Sequence, residues 1–193
     1  MRKFKVFMNP IKEEAWINAQ LEKGYQLIAH SSWGVYTFRK TEKKYVTRID
    51  YRSLKKKQYD EYIALHEDCG WQHVYGHKYG TDNQYWQKEK EGQDVLFSDT
   101  TSQIQYFKRL QTFYLSILLP FFFVIFFYLK SGIFHLFLTP GLFEMPFDLM
   151  WKAVLFELPF ALLRLLPFLV LIYIGYLIIK NSIKIKAMEK HIS

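Results

Sequence analysis

One uninterrupted apolar stretch dominates the pattern of hydrophobic and polar positions: the seventeen residues from Phe113 to Leu129 hold no charged side chain. A helix of that length spans about 25 Å, close to the roughly 30 Å hydrocarbon core of a bilayer. A second apolar stretch is clearest from Leu165 to Ile179 and extends back to about Phe160. The pattern therefore predicts two membrane-spanning helices in the second half of the chain.

The stretch before these helices mixes charged and apolar positions in the way of a water-soluble domain. Alternation over residues 45–51 predicts a half-buried strand. Helices are predicted over about 10–23 and 55–69, and each ends at a glycine, Gly24 or Gly70, the usual left-handed terminator. Strands precede and follow each helix, so the predicted order of elements is β-α-β-β in each half of this domain.

The two β-α-β-β units, at about 3–40 and 45–89, align with an offset of 46 residues, which places Gly24–Tyr25 on Gly70–Trp71. Such a repeat predicts an α+β fold over residues 1–98. We expect a ferredoxin-like domain, in which one antiparallel sheet is covered on one face by two helices. The alternative is a chance match, because glycine ends many helices.

The rest of the chain is predicted to alternate between membrane and water. We expect a linking helix that continues into the first transmembrane helix, an extracytoplasmic apolar loop, a second transmembrane helix and a basic cytoplasmic tail, at 99–129, 130–158, 159–180 and 181–193. Prolines and a glycine interrupt the loop, which favours an interfacial or re-entrant segment, with an additional span as the alternative.

Most basic residues near the two spans lie before the first and after the second, against Lys130 and Lys152 in the connecting loop. They are Lys108, Arg109, Lys180, Lys184 and Lys186. The positive-inside rule then places both termini in the cytoplasm of a two-pass plasma-membrane protein, with these residues as membrane anchors.

Composition indicates partners more than chemistry. The net charge of +8 includes the basic tail, which favours anionic lipid over nucleic acid. Aromatic residues are dense in the first domain, but the basic-Gly-aromatic signature of RNA-recognition modules is absent, so we expect no nucleic-acid partner. We expect most rings in the core and the surplus on a surface for an unidentified protein or peptide partner. The candidate residues for that surface are Arg48, Asp50, Trp71 and Trp86.

Neither a catalytic motif nor a metal-binding motif is found, so we expect no enzymatic activity and no cofactor. His66, Cys69, His73 and His77 lie close together in sequence, yet they complete no recognised zinc spacing. Cys69 is the one cysteine, which excludes an internal disulfide framework.

Two charged residues, Glu157 and Arg164, interrupt the second apolar region. They are seven positions apart and so lie nearly on one helical face. Ionisable groups at membrane depth are costly and are often functional, whereas groups at the interface snorkel into water. Both interpretations stay open for this pair.

Several short motifs occur in a fixed order along the first domain. They are Trp16 before Gly24-Tyr25, Tyr45, Arg48-Ile49-Asp50-Tyr51, Cys69-Gly70-Trp71, Tyr85-Trp86, Leu96-Phe97-Ser98-Asp99, Ile104 and Tyr106-Phe107-Lys108-Arg109. In their order and spacing these motifs resemble the bacterial domain of unknown function 2812 family over about residues 2–110. The resemblance implies C-terminal membrane spans, a mainly Gram-positive origin and genes often located beside PadR-type transcriptional regulators. It implies no activity and no catalytic residue.

Two functional hypotheses follow from these patterns. The first is a cytoplasmic interaction or sensing module, regulatory in role, that is held at the membrane and binds a protein or peptide. The second is an accessory subunit or small transporter-like component that uses Glu157 and Arg164 within the membrane.

Overall fold

The computed structural model describes residues 1–78, 80–92, 94–97, 99–131 and 135–191. The chain divides into two units, Met1–Arg109 and Leu110–Ser193. The elements are β1 (Arg2–Phe4), α1 (Pro10–Leu21), β2 (Tyr25–His30), β3 (Val35–Lys40), β4 (Tyr45–Leu54), α2 (Lys56–Asp68), β5 (Gln72–Tyr75), β6 (Gly80–Glu89), α3 (Thr100–Ser131), a 3-10 turn (Leu142–Glu144) and α4 (Phe147–Lys190). This order confirms the predicted α+β class, followed by two long apolar helices.

The strands form two three-stranded antiparallel sheets, in the orders β1-β3-β2 and β4-β6-β5. The prediction of one continuous sheet is therefore wrong. Strands β2 and β5 contact each other, but each carries a bulge, between Leu27 and Ala29 and between His73 and Tyr75. Bulges interrupt ladder pairing. At this seam the Leu27 N–H donates instead to the Gln87 side-chain Oε1 at 3.1 Å.

The two halves of the first unit have the same topology. Each is a β-α-β-β unit with its third strand in the centre of the sheet. The bulges are 46 residues apart, which is the offset of the sequence repeat. Gly24 and Gly70 end the helix of each half with φ of 81° and 79°.

Two clusters of buried side chains hold the first unit together. The first cluster combines α1 with strands of both sheets, so the two sheets share one core. It consists of Ile17, Leu21, Leu27, Tyr36, Phe38, Ile49 and Tyr85. The second cluster consists of Val46, Leu54, Tyr62, Trp71 and Trp86.

Helix α1 also covers the open edge of β4. Asn18 Nδ2 donates to the Thr47 carbonyl at 3.0 Å, and the Thr47 N–H donates to Asn18 Oδ1 at 2.8 Å. The Ile49 N–H donates to Glu14 Oε2 at 2.9 Å. Side chains of α1 therefore take the place of a neighbouring strand and protect this edge from pairing with another chain.

In the second unit, α3 and α4 are both long and apolar enough to cross a membrane. Helix α3 is continuous from Thr100, as the linking-helix prediction requires, and Asp99 Oδ1 accepts a capping bond from the Ser102 N–H at 2.7 Å. Helix α4 begins at Phe147, not near residue 159. The segment between the two long helices is therefore shorter than the predicted loop of residues 130–158. The helix starts directly after Pro146, and Pro159 and Pro167 lie inside it.

The two helices of this unit contact each other. One stripe of α4, at a spacing of three or four residues, is buried. It consists of Val170, Ile174, Leu177, Asn181 and Ile185. Gln111 Nε2 on α3 donates to Ser182 Oγ on α4 at 3.0 Å.

A matched pair of glycine substitutions tests how closely the Lys5 carbonyl approaches Gly34 in the turn between β2 and β3. Gly34 and Gly70 both have positive φ, of 78° and 79°, but a Cβ on Gly34 would lie 2.5 Å from the Lys5 carbonyl, whereas at Gly70 no described atom lies within 4 Å. We expect Gly70→Ala to destabilise by about 1 kcal/mol through its backbone strain. Gly34→Ala should cost at least about 1 kcal/mol more through steric overlap.

The measurement is thermal unfolding of the full chain in detergent micelles, followed by tryptophan fluorescence. Equal losses of stability for the two variants would contradict the close approach of the Lys5 carbonyl to Gly34.

Candidate functional site

An open cleft of about 460 Å³ lies in the first unit and is lined mainly by aromatic side chains. The lining side chains come from the end of β1 and the segment that follows it, from α1, from the β2–β3 turn with its flanking strands, and from β5 and β6. The lining residues are Phe4, Lys5, Val6, Phe7, Glu13, His30, Ser32, Trp33, Gly34, Tyr36, Tyr75, Asn83 and Tyr85. A volume of this size suits a small ligand or one side chain of a larger partner.

A buried carboxylate, Glu13, lies among the residues that line this cleft. Only 4% of Glu13 is exposed, and its Oε1 accepts hydrogen bonds from the Tyr36 hydroxyl at 2.6 Å and the Tyr85 hydroxyl at 2.5 Å. Burial and this carboxylate raise the pKa of Tyr36 well above its ordinary value. The two tyrosine hydroxyls supply the hydrogen bonds that a buried carboxylate needs. They also join α1, β3 and β6 at one point.

His30 lies in the middle of a group of tyrosine rings at the same place. The centroids of its ring and those of Tyr36, Tyr85 and Tyr75 are 4.4, 4.7 and 4.8 Å apart. These contacts pack the end of β2 against β3, β5 and β6. The tyrosine rings on this side of the cleft are therefore packed around His30.

Two aromatic side chains at the rim of the cleft are exposed. Trp33 is 83% exposed and Phe4 is 73% exposed. The ammonium group of Lys5 lies 4.9 Å from the Phe7 ring centroid and 5.2 Å from that of Trp16, within the range of a cation–π contact.

A second polar centre, the Asp50 carboxylate, is fully buried. Arg52 Nε donates to its Oδ2 at 2.7 Å, and the Tyr62 hydroxyl donates to the same oxygen at 3.1 Å. Arg109 donates through Nη2 to Asp50 Oδ1 and through Nε to the Tyr51 carbonyl, both at 2.9 Å. Burial and Asp50 together raise the pKa of Tyr62. The centre joins β4, α2 and α3.

The predicted interaction surface is corrected by this burial. Asp50 and Trp86 are completely buried and Trp71 is 4% exposed, so these three residues belong to the interior. Trp86 Nε1 donates to the Tyr62 hydroxyl at 2.8 Å and extends the Asp50 centre. Arg48 is partly exposed and donates to Glu14 on α1 at 3.3 Å.

The histidines and the cysteine near α2 lie in different surroundings. His66 stacks on Trp86 with centroids 4.6 Å apart, and His73 contacts Gln84 Oε1 at 2.8 Å. Burial lowers the pKa of both histidines. Cys69 is exposed. Among the described residues, no three His, Cys, Asp or Glu side chains converge in a way that suits a metal ion.

Glu157 and Arg164 both hold the segment that precedes α4. The backbone N–H groups of Leu138 and Thr139 donate to the Glu157 carboxylate, each at 2.7 Å, and the Thr139 hydroxyl donates to it as well. Arg164 Nη1 donates to the Leu136 carbonyl at 2.7 Å. Both residues lie on α4 and contact the same segment, as expected of residues that lie nearly on one helical face.

The predicted membrane anchors differ in their surroundings. Arg109 is committed to the Asp50 centre within the first unit. Lys180, Lys184 and Lys186 lie on the last turns of α4, and Lys108 lies on α3 beside Arg109.

A family model described as "Protein of unknown function (DUF2812)" matches residues 9–119, more than half of the chain. The chain belongs to the DUF2812 family. The match runs from the N-cap of α1 into α3 and contains Glu13, the tyrosines of the cleft and the Asp50 centre. No curated protein and no solved structure matches this DUF2812 chain.

Sequence reasoning missed Glu13 and the tyrosines around it. One signal was present, because Glu13, Ile17 and Leu21 lie four residues apart and so share one face of α1. A carboxylate in an apolar stripe indicates a buried polar site. Its two hydroxyl donors, Tyr36 and Tyr85, lie 23 and 72 residues away and carry no local signal.

Removing the Asp50 carboxylate tests the second polar centre. Asp50→Ala leaves Arg52, Arg109 and the Tyr62 hydroxyl without their shared acceptor, so we expect a loss of about 3–5 kcal/mol in the free energy of unfolding. Denaturant unfolding of the full chain in detergent micelles measures it.

The matched control is Lys43→Ala, because Lys43 forms a solvent-exposed ion pair with Glu89. We expect no measurable change there. A loss for Asp50→Ala no larger than for Lys43→Ala would show that the centre contributes nothing to stability.

Proposed function

We propose that this DUF2812 chain is a membrane-anchored binding module, which senses or regulates by binding a protein or peptide partner at its aromatic cleft. The observation that carries the proposal is the open cleft beside Glu13, with exposed aromatic side chains at its rim. Exposed apolar side chains around a concave site are typical of an interaction surface.

The exposed surface of the two long helices supports a membrane location. Their large apolar side chains are mostly exposed, although water disfavours such a surface. Between Arg109 and Lys130, α3 offers an uncharged length of about 30 Å, which matches the hydrocarbon core. The flanking lysines favour a two-pass plasma-membrane protein with both termini in the cytoplasm.

The transporter-like alternative is less well supported. It relies on Glu157 and Arg164, and both side chains already bind backbone groups of the segment before α4. These bonds compensate the cost of placing charged groups in an apolar helix. The cleft of the first unit is therefore the better candidate for the functional surface.

Labelling of single cysteines tests the membrane orientation. Cys69 is exposed, and Phe143, 71% exposed, lies in the segment between the two helices. We expect a membrane-impermeant maleimide to label Cys69 only after the cells are opened, because this residue faces the cytoplasm. Phe143→Cys in a Cys69→Ser background should be labelled on intact cells. The opposite pattern, or equal labelling from one side, would overturn the two-pass orientation.

Site-specific photo-crosslinking tests the binding role. A photoreactive residue at Trp33, on the rim of the cleft, should crosslink a defined partner in native membranes. The same residue at Leu65, which is 63% exposed and outside the cleft, is the control and should not. Phe4→Ala, also at the rim, should reduce the yield from position 33. Equal crosslinking from both positions, or no effect of Phe4→Ala, would exclude the cleft as the binding surface.

A further inference from the structure

We propose that the aromatic cleft binds an organic ammonium group, either the free cation of a small molecule or the side chain of a lysine in a peptide. The inference rests on the proposed function and names the chemistry that the cleft recognises.

Charge is the first argument. Among the described residues that line the cleft, Glu13 and Lys5 carry a formal charge. Glu13 is the buried one and is held in place by two tyrosine hydroxyls, both on one carboxylate oxygen. An electrostatic interaction is strongest where water is excluded, so a carboxylate at this depth favours a cation in the cleft.

The aromatic walls are the second argument. The faces of aromatic rings carry negative potential and attract ammonium groups. The chain's own Lys5 already uses this property at the cleft, because its ammonium lies over Phe7, which lines the cleft, and over the neighbouring Trp16. One ring of the cleft therefore already contacts an ammonium group.

The charge of Lys5 distinguishes a cationic ligand from an anionic one. Its side chain is exposed and lies at the mouth of the cleft, where its charge opposes an incoming cation. A cationic ligand displaces this ammonium from the rings, so removal of the Lys5 charge should strengthen binding. An anionic ligand would need the Lys5 charge, and the same substitution would weaken its binding.

The experiment is calorimetric titration of the full chain in detergent micelles with choline and with its neutral isostere, 3,3-dimethylbutan-1-ol. A third arm uses an acetylated, amidated Gly-Lys-Gly peptide. We expect choline or the peptide to bind at least about tenfold more tightly than the neutral isostere, the contribution of the positive charge. The tighter of the two cations identifies the source of the ammonium group.

Three variants separate the contributions of Lys5, Glu13 and Trp33 to the affinity for the cation. Lys5→Met should strengthen binding, and Glu13→Gln, which keeps an acceptor for the two tyrosines, should weaken it by about tenfold or more. Trp33→Ala changes an exposed side chain, so it should weaken binding without affecting folding, and it keeps the test valid where Glu13→Gln fails to fold.

Equal affinity for choline and its isostere, weaker binding after Lys5→Met, or no binding of either cation would overturn the inference. Where crosslinking from position 33 persists in that case, the proposed function stands and the ligand has different chemistry. Where crosslinking also fails, both proposals are wrong.

Discussion

The Asp50 carboxylate accepts hydrogen bonds from Arg52, Tyr62 and Arg109, side chains that lie on β4, α2 and α3. A carboxylate removed from water is stable only while its partners stay in place. The requirement acts on all three elements at once and extends through Tyr62 to the buried Trp86. Arg109 directly precedes the uncharged part of α3, so the last residue of the domain before the apolar run is also fixed by this carboxylate.

The two halves of the first unit share a topology and use it differently. At the offset of 46 residues, Phe4 corresponds to Asp50 and Trp16 to Tyr62. Phe4 is exposed at the rim of the cleft, whereas Asp50 is fully buried. The second half therefore supplies a charged centre that binds α3, and the first half supplies the exposed aromatic side chains at the rim of the cleft. A cation lies over the ring at each equivalent position, Lys5 over Trp16 and Arg52 over Tyr62.

Local patterns predicted the elements well, because their signals lie within a few residues of each boundary. Glycines end α1 and α2 where expected, and the uncharged run lies within α3. The division into two sheets was not predictable, since bulges and a side-chain bond at Leu27 decide it. Asp50 was predicted to lie on an interaction surface. Arg52, two positions away, is a local partner, but Tyr62 and Arg109 lie 12 and 59 positions later. The burial of this charge depends on the distant partners, which no local pattern contains.

Polar groups in the apolar second unit follow the same rule as Asp50. The segment before α4 presents backbone groups that need hydrogen-bond partners in these apolar surroundings. Glu157 accepts from two backbone N–H groups of this segment, and Arg164 donates to a carbonyl of it. The contacts of Glu157 and Arg164 with this segment thus give both charged side chains a structural role. The cleft beside Glu13 differs, because its rim residues Phe4 and Trp33 are exposed around a space that is open to solvent. Function is therefore better sought at the cleft.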